Sequence, residues 1–526
     1  MQSMLFRLGV LTFLLFATGC AHSANPAIEA PLLRKTYIVV PDRHQVAEGT
    51  LIEFSYESGP TIGLGFPSIR NTRQQRLGNR LSVFVDDDNH SYEVTDLGKP
   101  FDSSGAVFFT VGGKVYVRPY PIGSDRVYAL NDETNRWSSI SDEEFSRQVA
   151  KYLRRWFSIP SSCGYVIDIV GNTALTRNCL VQRGKTVHFD KLNFPGLGNS
   201  VSKYSVFFDN RRIVFHVIST PNFLAYCDYP IKAEACQLTP YVYETGFAYA
   251  VFSSKDRVYV ASNAGRVYAL GAHGPGKIAI DNEANESFQL YSSMKYSKSV
   301  LLGEYPKGEL LEWDRGLKQF QPPPDNSNVA GVGSELQSLE LYKGRIVAGF
   351  WPTGELKIFD KKSGEWEPSI RLFPDERLDP SMPYQAEPYF DHLKALGEPI
   401  TNLLGQRIAD LLVEGDSLYV ATSSKTGGIL DPEKLELDER VLADYGKIYR
   451  VRSTGQNTID LLSEFSRKRP FKLGIELRSS TLKVLVNGHV VTTVSYETDS
   501  KLEHPDRVQV GEGSFGTLLG ATIMEQ

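Results

Sequence analysis

The sequence predicts an all-β chain whose middle repeats one antiparallel unit and whose ends form a smaller β module. Three observations carry this. Short hairpins of alternating apolar residues recur through the middle of the chain. They return at a near-constant interval. Tyr (26) and Phe (28) are plentiful, which suits strands.

The repeat is a short β-rich run, a tight turn with a small or polar residue, and a second run. Asp256-Arg-Val-Tyr-Val-Ala-Ser-Asn-Ala-Gly265-Arg-Val-Tyr-Ala-Leu270 is one copy, and Gly344 to Phe359 is another. Ser299 to Trp313, Lys114 to Leu130, and Asp416 to Thr422 followed by Gly446 to Val451 continue the series. The first runs start near 114, 164, 212, 257, 298, 344 and 416, roughly 41 to 50 residues apart except at the last step. That interval fits four strands per unit arranged radially, a β-propeller. Seven copies predict seven four-stranded blades; the copy near 164 matches least well and leaves six as the alternative. A β-sandwich array is disfavoured, because sandwiches do not repeat one hairpin at such even intervals.

Within one unit, Leu336 to Tyr342 is the expected innermost strand. Lys343-Gly344 turns into Arg345 to Phe350, Trp351 to Gly354 turns into Glu355 to Asp360, and the outer strand starts at Glu365. The turn after the second strand and the link between units then lie on one side of the disc, the expected ligand face. Three second-strand turns there carry an aromatic residue before proline: Tyr120-Pro121, Tyr305-Pro306 and Trp351-Pro352. Tyr120, Tyr305 and Trp351 are the candidate ligand contacts; the alternative is that each aromatic caps its hairpin and packs on a neighbouring blade. Both long insertions, about 138–160 and 371–406, are links between units. The first has a capping box of Ser141 with Glu144 and an apolar stripe through Phe145, Val149 and Tyr152; the second has a short helix near Tyr389 to Leu396. Long loops on a rigid scaffold tend to carry function.

The N-terminus reads as a targeting segment. One positive charge in Met1 to Arg7 precedes an apolar run, Leu8 to Ala17, too short for a permanent membrane span. Ala17-Thr18-Gly19-Cys20 then resembles a bacterial lipobox, with Ala17 where Leu is usual. The resemblance implies lipidation of Cys20 and anchoring to a membrane through acyl chains, firmly where more than one is attached. Ala21, rather than Asp, after the cysteine implies delivery to the outer membrane. The alternative is an ordinary signal peptide cut near Ala21-His22-Ser23. The expected divisions are a signal peptide at 1–19, a tether at 20–36, an N-terminal β-rich segment at 37–106, the propeller at 107–465 and a C-terminal segment at 466–526.

In the C-terminal segment, Phe471 to Leu477 alternates, and Thr481 to Val494 is a hairpin across Asn487-Gly488. With the closing run Phe515 to Ile523, this resembles the tail of concanavalin-like or laminin-G-like jelly rolls, over about a tenth of the chain. Leu51 to Tyr56 and Leu81 to Val85 make the N-terminal segment β-rich too. Either the two ends form one sandwich, or the N-terminal strands close the propeller ring.

Past the signal segment stand Cys163, Cys179, Cys227 and Cys236. In an oxidising envelope an even number suggests disulfides, and Cys163–Cys179 with Cys227–Cys236 is the preferred of three pairings. No C-x-x-C pair and no histidine spaced with the cysteines argues for a metal site. A net charge of −5 with no basic patch argues against a nucleic-acid partner.

The chain contains no Walker loop, G-x-S-x-G, H-E-x-x-H or EF-hand loop, and no motif that calls for a cofactor. Asp86-Asp87-Asp88-Asn89 lacks the glycine and distal glutamate of a calcium loop and reads as a solvated turn. A propeller outside the cell resembles secreted polysaccharide lyases, including those acting on ulvan-type polymers. That resemblance implies a tyrosine and a histidine as acid and base on a uronic acid and an arginine on its carboxylate. The matching candidates are His188, Tyr204, Arg211, Arg212 and His216, with a packed or edge histidine the plain reading of His216. A glycoside hydrolase would need two facing carboxylates, for which Glu304, Glu335 and Asp410 are candidates. The leading expectation is an envelope lipoprotein that displays a propeller face to a glycan or a protein; polysaccharide lyase activity is the alternative.

Overall fold

The computed structural model describes residues 31–526 apart from 43–46, 58, 68–74, 77–79, 87–90, 112, 120–125, 142, 146, 149–162, 164–165, 171–172, 177, 183–184, 190–203, 209–211, 218–221, 229–236, 244–247, 255–256, 271–276, 282–287, 315, 322–333, 361–362, 369, 374–391, 393–394, 397–403, 426, 454–456, 462–463, 465–468 and 497–503. The described chain is almost entirely antiparallel β-structure with a propeller-like arrangement. Consecutive four-stranded meanders run along it. The first spans 106–141, the second 166–188, the third 204–243, the fourth 248–281, the fifth 289–321 and the sixth 335–366. The seventh combines Arg407–Glu414, Ser417–Ser423 and Ile448–Arg452 with the N-terminal strand Glu93–Asp96, which pairs with Ile448–Arg452.

From the second sheet to the seventh, and from the seventh to the first, neighbouring sheets pack on one another. Phe189, after the second sheet, meets Phe215 of the third at 5.1 Å. Val214 and Leu224 of the third share a cluster with Val251 and Val260 of the fourth. The series continues through Ala261 and Leu302, Leu301 and Leu339, Ile358 and Leu411, and Leu412 and Phe108. The short strand Gln75–Arg76 pairs with Ala106–Val111 of the first sheet and also touches the inner strand of the second. A sheet covered on both faces has no solvent side, which is why Glu335–Tyr342 and Arg407–Glu414 are buried at every position.

The two ends answer the open alternative in both ways. Strand Glu93–Asp96 completes the seventh sheet, while the other terminal strands build a two-layer sandwich. One layer pairs Leu33–Pro41 with Phe471–Leu477 and Ala521–Glu525; the other holds Gly49–Ser55, Thr61–Phe66, Arg80–Asp86, Asn457–Asp460 and Arg507–Val510. Their shared core runs through Tyr37, Val39, Phe54, Leu64, Val83, Phe471, Ile475 and Val484. Asn487 (φ 52°) and Gly488 (φ 85°) make the expected hairpin turn.

The sandwich contacts the propeller at the first turns of the meanders, opposite the second turns. Phe84 lies against Gly344, where a Cβ would sit 2.6 Å from its ring, and against Phe515 at 5.2 Å. Lys295 pairs with Glu48 at 2.6 Å, Arg345 with Asp86 at 2.7 Å, and Arg80 with Glu414. Residues 87–89 of the expected turn lie outside the described residues, while Asp86 is 1% exposed and so is no solvated acid. The Arg345 guanidinium holds it inside the interface, a partner far away in sequence.

Candidate ligand site at the mouth of the inner strands

The inner strands share a local irregularity. In the fourth to seventh sheets the pairing slips by one residue, leaving Tyr249, Tyr291, Gln337 and Ala409 as the extra residue in turn. A bulge of this kind sharpens the twist and re-aims nearby side chains. The residue after it reaches to the neighbouring sheet. Ser292 Oγ donates to the Leu336 carbonyl and Ser338 Oγ to the Ile408 carbonyl, both at 3.2 Å. At the next junction the Phe108 amide donates to Asp410 Oδ2 at 2.9 Å. The second strands supply glycine where the neighbour approaches. A Cβ on Gly303 would stand 2.2 Å from the Leu336 carbonyl oxygen, and one on Gly349 would stand 2.4 Å from Ile408 Cγ2.

On the second-turn side of this layer, Glu335 and Arg407 begin the sixth and seventh inner strands. They hold equivalent places in adjacent sheets, and Arg407 Nη2 donates to Glu335 Oε2 at 2.8 Å. Tyr291 Oη donates to the other carboxylate oxygen at 2.9 Å. Glu335 and Arg407 are 3% and 6% exposed, so the pair sits in low dielectric. Burial, and then the Glu335 carboxylate, hold the Tyr291 hydroxyl far above its ordinary range, so it stays a donor. Trp351 pairs with Glu335 across the ladder. Its ring lies 5.9 Å from the Arg407 guanidinium and 5.3 Å from the Lys425 ammonium. Tyr249 stacks obliquely on Tyr291 at 4.7 Å. The site is thus a line of aromatic and charged groups across four sheets.

Polar atoms without partners gather in the same place. Trp351 Nε1, Gln337 Nε2 and Oε1, Arg407 Nε and Thr353 Oγ1 are buried and make no hydrogen bond among the described residues. Thr353 is bridged to Gln406, beside Arg407, so these groups come from adjoining stretches of the sixth and seventh sheets. An unmet buried polar group costs about 1–3 kcal/mol, and native proteins rarely leave several together.

The expected site residues fall in several places. Trp351 is 1% exposed and Tyr305 half-buried, each ending a second strand as placed from the sequence; Tyr120 lies outside the described residues. Trp351 is a packed platform under two cations and not a free tip. Tyr204 pairs with Val217 and His216 with Ser205, so Tyr204 and His216 occupy adjacent rungs of one ladder. Arg212 begins the same second strand, and Arg211 lies outside the described residues. His188 belongs to the neighbouring sheet and its Nδ1 lies 3.2 Å from Cys179 Sγ.

The carboxylates serve the fold. Asp410 accepts from the Phe108 and Leu411 amides. Glu304 Oε2 accepts from the Lys307 and Glu309 amides, bracing the Tyr305-Pro306 turn, and burial pushes its carboxyl up to about 7. Cys163 and Cys179 form the expected disulfide, with Cα atoms 5.1 Å apart. Cys236, and with it the second expected pairing, lies outside the described residues, as does Cys20. No helix among the described residues is long and apolar enough to cross a membrane. Tyr249, Tyr291, Gln337, Arg407 and Lys425 were not singled out from the sequence. Their only trace is position: each stands at the start of an inner strand or just past the end of a second one.

No family model matches the chain, and no curated protein matches it. Among solved structures, the crystal structure of the computationally designed Ika8 protein is 11% identical, with 74% of this chain and 96% of that chain covered at a TM-score of 0.31. The β-propeller domain of Cps50 (Swd1) from Myceliophteria thermophila is 10% identical, with 69% and 99% covered at a TM-score of 0.33. The fold reading rests on the sheet order described above and not on these likenesses.

Proposed function

We propose that this chain is an exported envelope lipoprotein, anchored through Cys20, whose seven-bladed propeller binds a glycan at the mouth of its inner strands. The observation that carries the reading is the gathering of unmet polar atoms on Gln337, Trp351, Thr353 and Arg407 beside the faces of Trp351 and Tyr291. A sugar offers what such a site lacks. Its hydroxyls donate and accept toward amide, indole, guanidinium and hydroxyl groups, and the apolar face of its ring suits a half-buried aromatic such as Tyr305 at the neighbouring second turn. The sandwich contacts the first-turn side, so it does not compete for this mouth. A protein ligand is the other candidate partner, and lyase chemistry has less support. Tyr204 and His216 sit on adjacent rungs, and His188 faces a disulfide in the next sheet.

The test is affinity electrophoresis of the full chain through gels containing neutral, uronate and sulfated polysaccharides. Gln337→Leu and Lys425→Ala variants run alongside, with melting temperature as the control for folding. The reading expects retardation by one polymer class, lost in both variants at unchanged melting. Retention unaffected by either variant, or no retention by any polymer, refutes it. Release of unsaturated ends from a uronate polymer would revive the lyase alternative.

A further inference from the structure

The second sheet brings a third donor to the disulfide. Cys179 and His188 are directly paired across the third and fourth strands of that sheet, and Cys163 arrives from the segment just ahead of it. His188 Nδ1 lies 3.2 Å from Cys179 Sγ, and one ligand atom from each of Cys163, Cys179 and His188 falls within 4.8 Å of the other two. Both sulfurs belong to fully buried residues, while His188 is half-buried. A disulfide needs no imidazole, so the third donor asks for a separate reason.

We propose that Cys163, Cys179 and His188, in the dithiol state, form a three-donor site for a borderline or soft divalent cation of the zinc class. Tetrahedral zinc takes sulfur at about 2.3 Å and imidazole nitrogen at about 2.0 Å. The donors around it then stand about 3.5 to 3.8 Å apart. The three donor atoms here already lie within 4.8 Å of one another, and opening the disulfide frees the two sulfurs to separate to that spacing. Charge also balances: two thiolates cancel the dication, so the buried half of the site carries no net charge. The half-buried imidazole leaves the fourth position toward solvent, open for water or a ligand.

The chemistry has two steps. A dithiol reductant passes two electrons and two protons to the Cys163–Cys179 bond; that bond breaks, two thiols form, and the reductant becomes a disulfide. The cation then displaces one proton from each thiol and binds neutral His188 through Nδ1, releasing two protons per ion. Oxidised, the pair staples the segment at Cys163 to the sheet. Reduced, the metal takes over the same clamp.

Cobalt(II) titration of the full chain tests this, with and without prior reduction by dithiothreitol and anaerobic desalting. Thiolate-to-cobalt charge-transfer absorption and tetrahedral d–d bands are the readout. The background carries Cys20→Ser, Cys227→Ser and Cys236→Ser, so that only this pair can report. The expected result is one equivalent bound by the reduced chain, none by the oxidised chain, and zinc displacing cobalt. Changing residues behind a metal's ligands weakens binding by roughly 10–100-fold, so losing a ligand in His188→Ala should cost at least about tenfold. Cys163→Ser should abolish the charge-transfer band. Stoichiometric binding unchanged by His188→Ala and Cys163→Ser overturns the proposal. So does the absence of binding by the reduced chain, or near-ultraviolet dichroism that reduction removes and zinc does not restore.

Discussion

Replacing Arg407 by Met removes the one cation hydrogen-bonded to Glu335 among the described residues and leaves that carboxylate, 3% exposed, with the Tyr291 hydroxyl as its remaining described partner. Breaking a buried ion pair from one side costs about 3–5 kcal/mol, because the surviving charge stays desolvated. Glu335→Leu should cost less, since Arg407 keeps the Lys425 carbonyl, 2.5 Å from its Nη1, as an acceptor. The double variant removes both charges and restores apolar volume, and exchanges of that sort are often neutral. The two single costs should therefore exceed the double cost by about 2–3 kcal/mol. Equilibrium urea unfolding, followed by tryptophan fluorescence and far-ultraviolet dichroism with coincident transitions, measures all three. Costs that simply add would refute the claim that the two side chains share one buried contact.

Three further outcomes follow from the same geometry. Glu304 has its carboxyl raised by burial from 4.5 to about 7, so the folded chain holds that proton longer than the unfolded chain. The associated stability, about 3 kcal/mol, is full below pH ~4.5 and lost as pH rises through about 7. Melting at pH 5 against pH 8 should fall more in wild type than in Glu304→Gln, and equal falls would contradict it. Gly303→Ala places a methyl 2.2 Å from the Leu336 carbonyl oxygen, so the fifth and sixth sheets must part, at a cost of about 1–3 kcal/mol by urea unfolding; an unchanged midpoint would show that the sheets are not pinned there. The Cys163–Cys179 bond closes a separation of 16 residues, and the Cys163→Ala/Cys179→Ala pair should lose about 3 kcal/mol. A loss under about 1 kcal/mol would mean that the unfolded chain is constrained by something else.

The meander unit was legible in the sequence because its signals are local. Lys343-Gly344 and Asn487-Gly488 both take positive φ, a demand their own residues meet, and the alternation on either side sets the strands. Strand limits in the sixth sheet match the sequence reading to about a residue, as turn chemistry and periodicity allow. What lay beyond reach were contacts between residues far apart along the chain. Glu93–Asp96 completes a sheet begun at Arg407, and Asn457–Asp460 pairs with Arg80–Asp86 in the sandwich. Asp86 looked like a solvated acid because nothing nearby in sequence announces Arg345. The inner-strand bulges have the same character. One extra residue in a strand leaves the apolar pattern nearly intact, yet it decides that Tyr291, Glu335 and Arg407 meet. Sequence alone determined a repeating β-unit with its turns on one side, since backbone preference and side-chain period act over a few residues. Tertiary structure decided which charged groups share a buried space, because desolvation and ion pairing depend on distance in space and not along the chain.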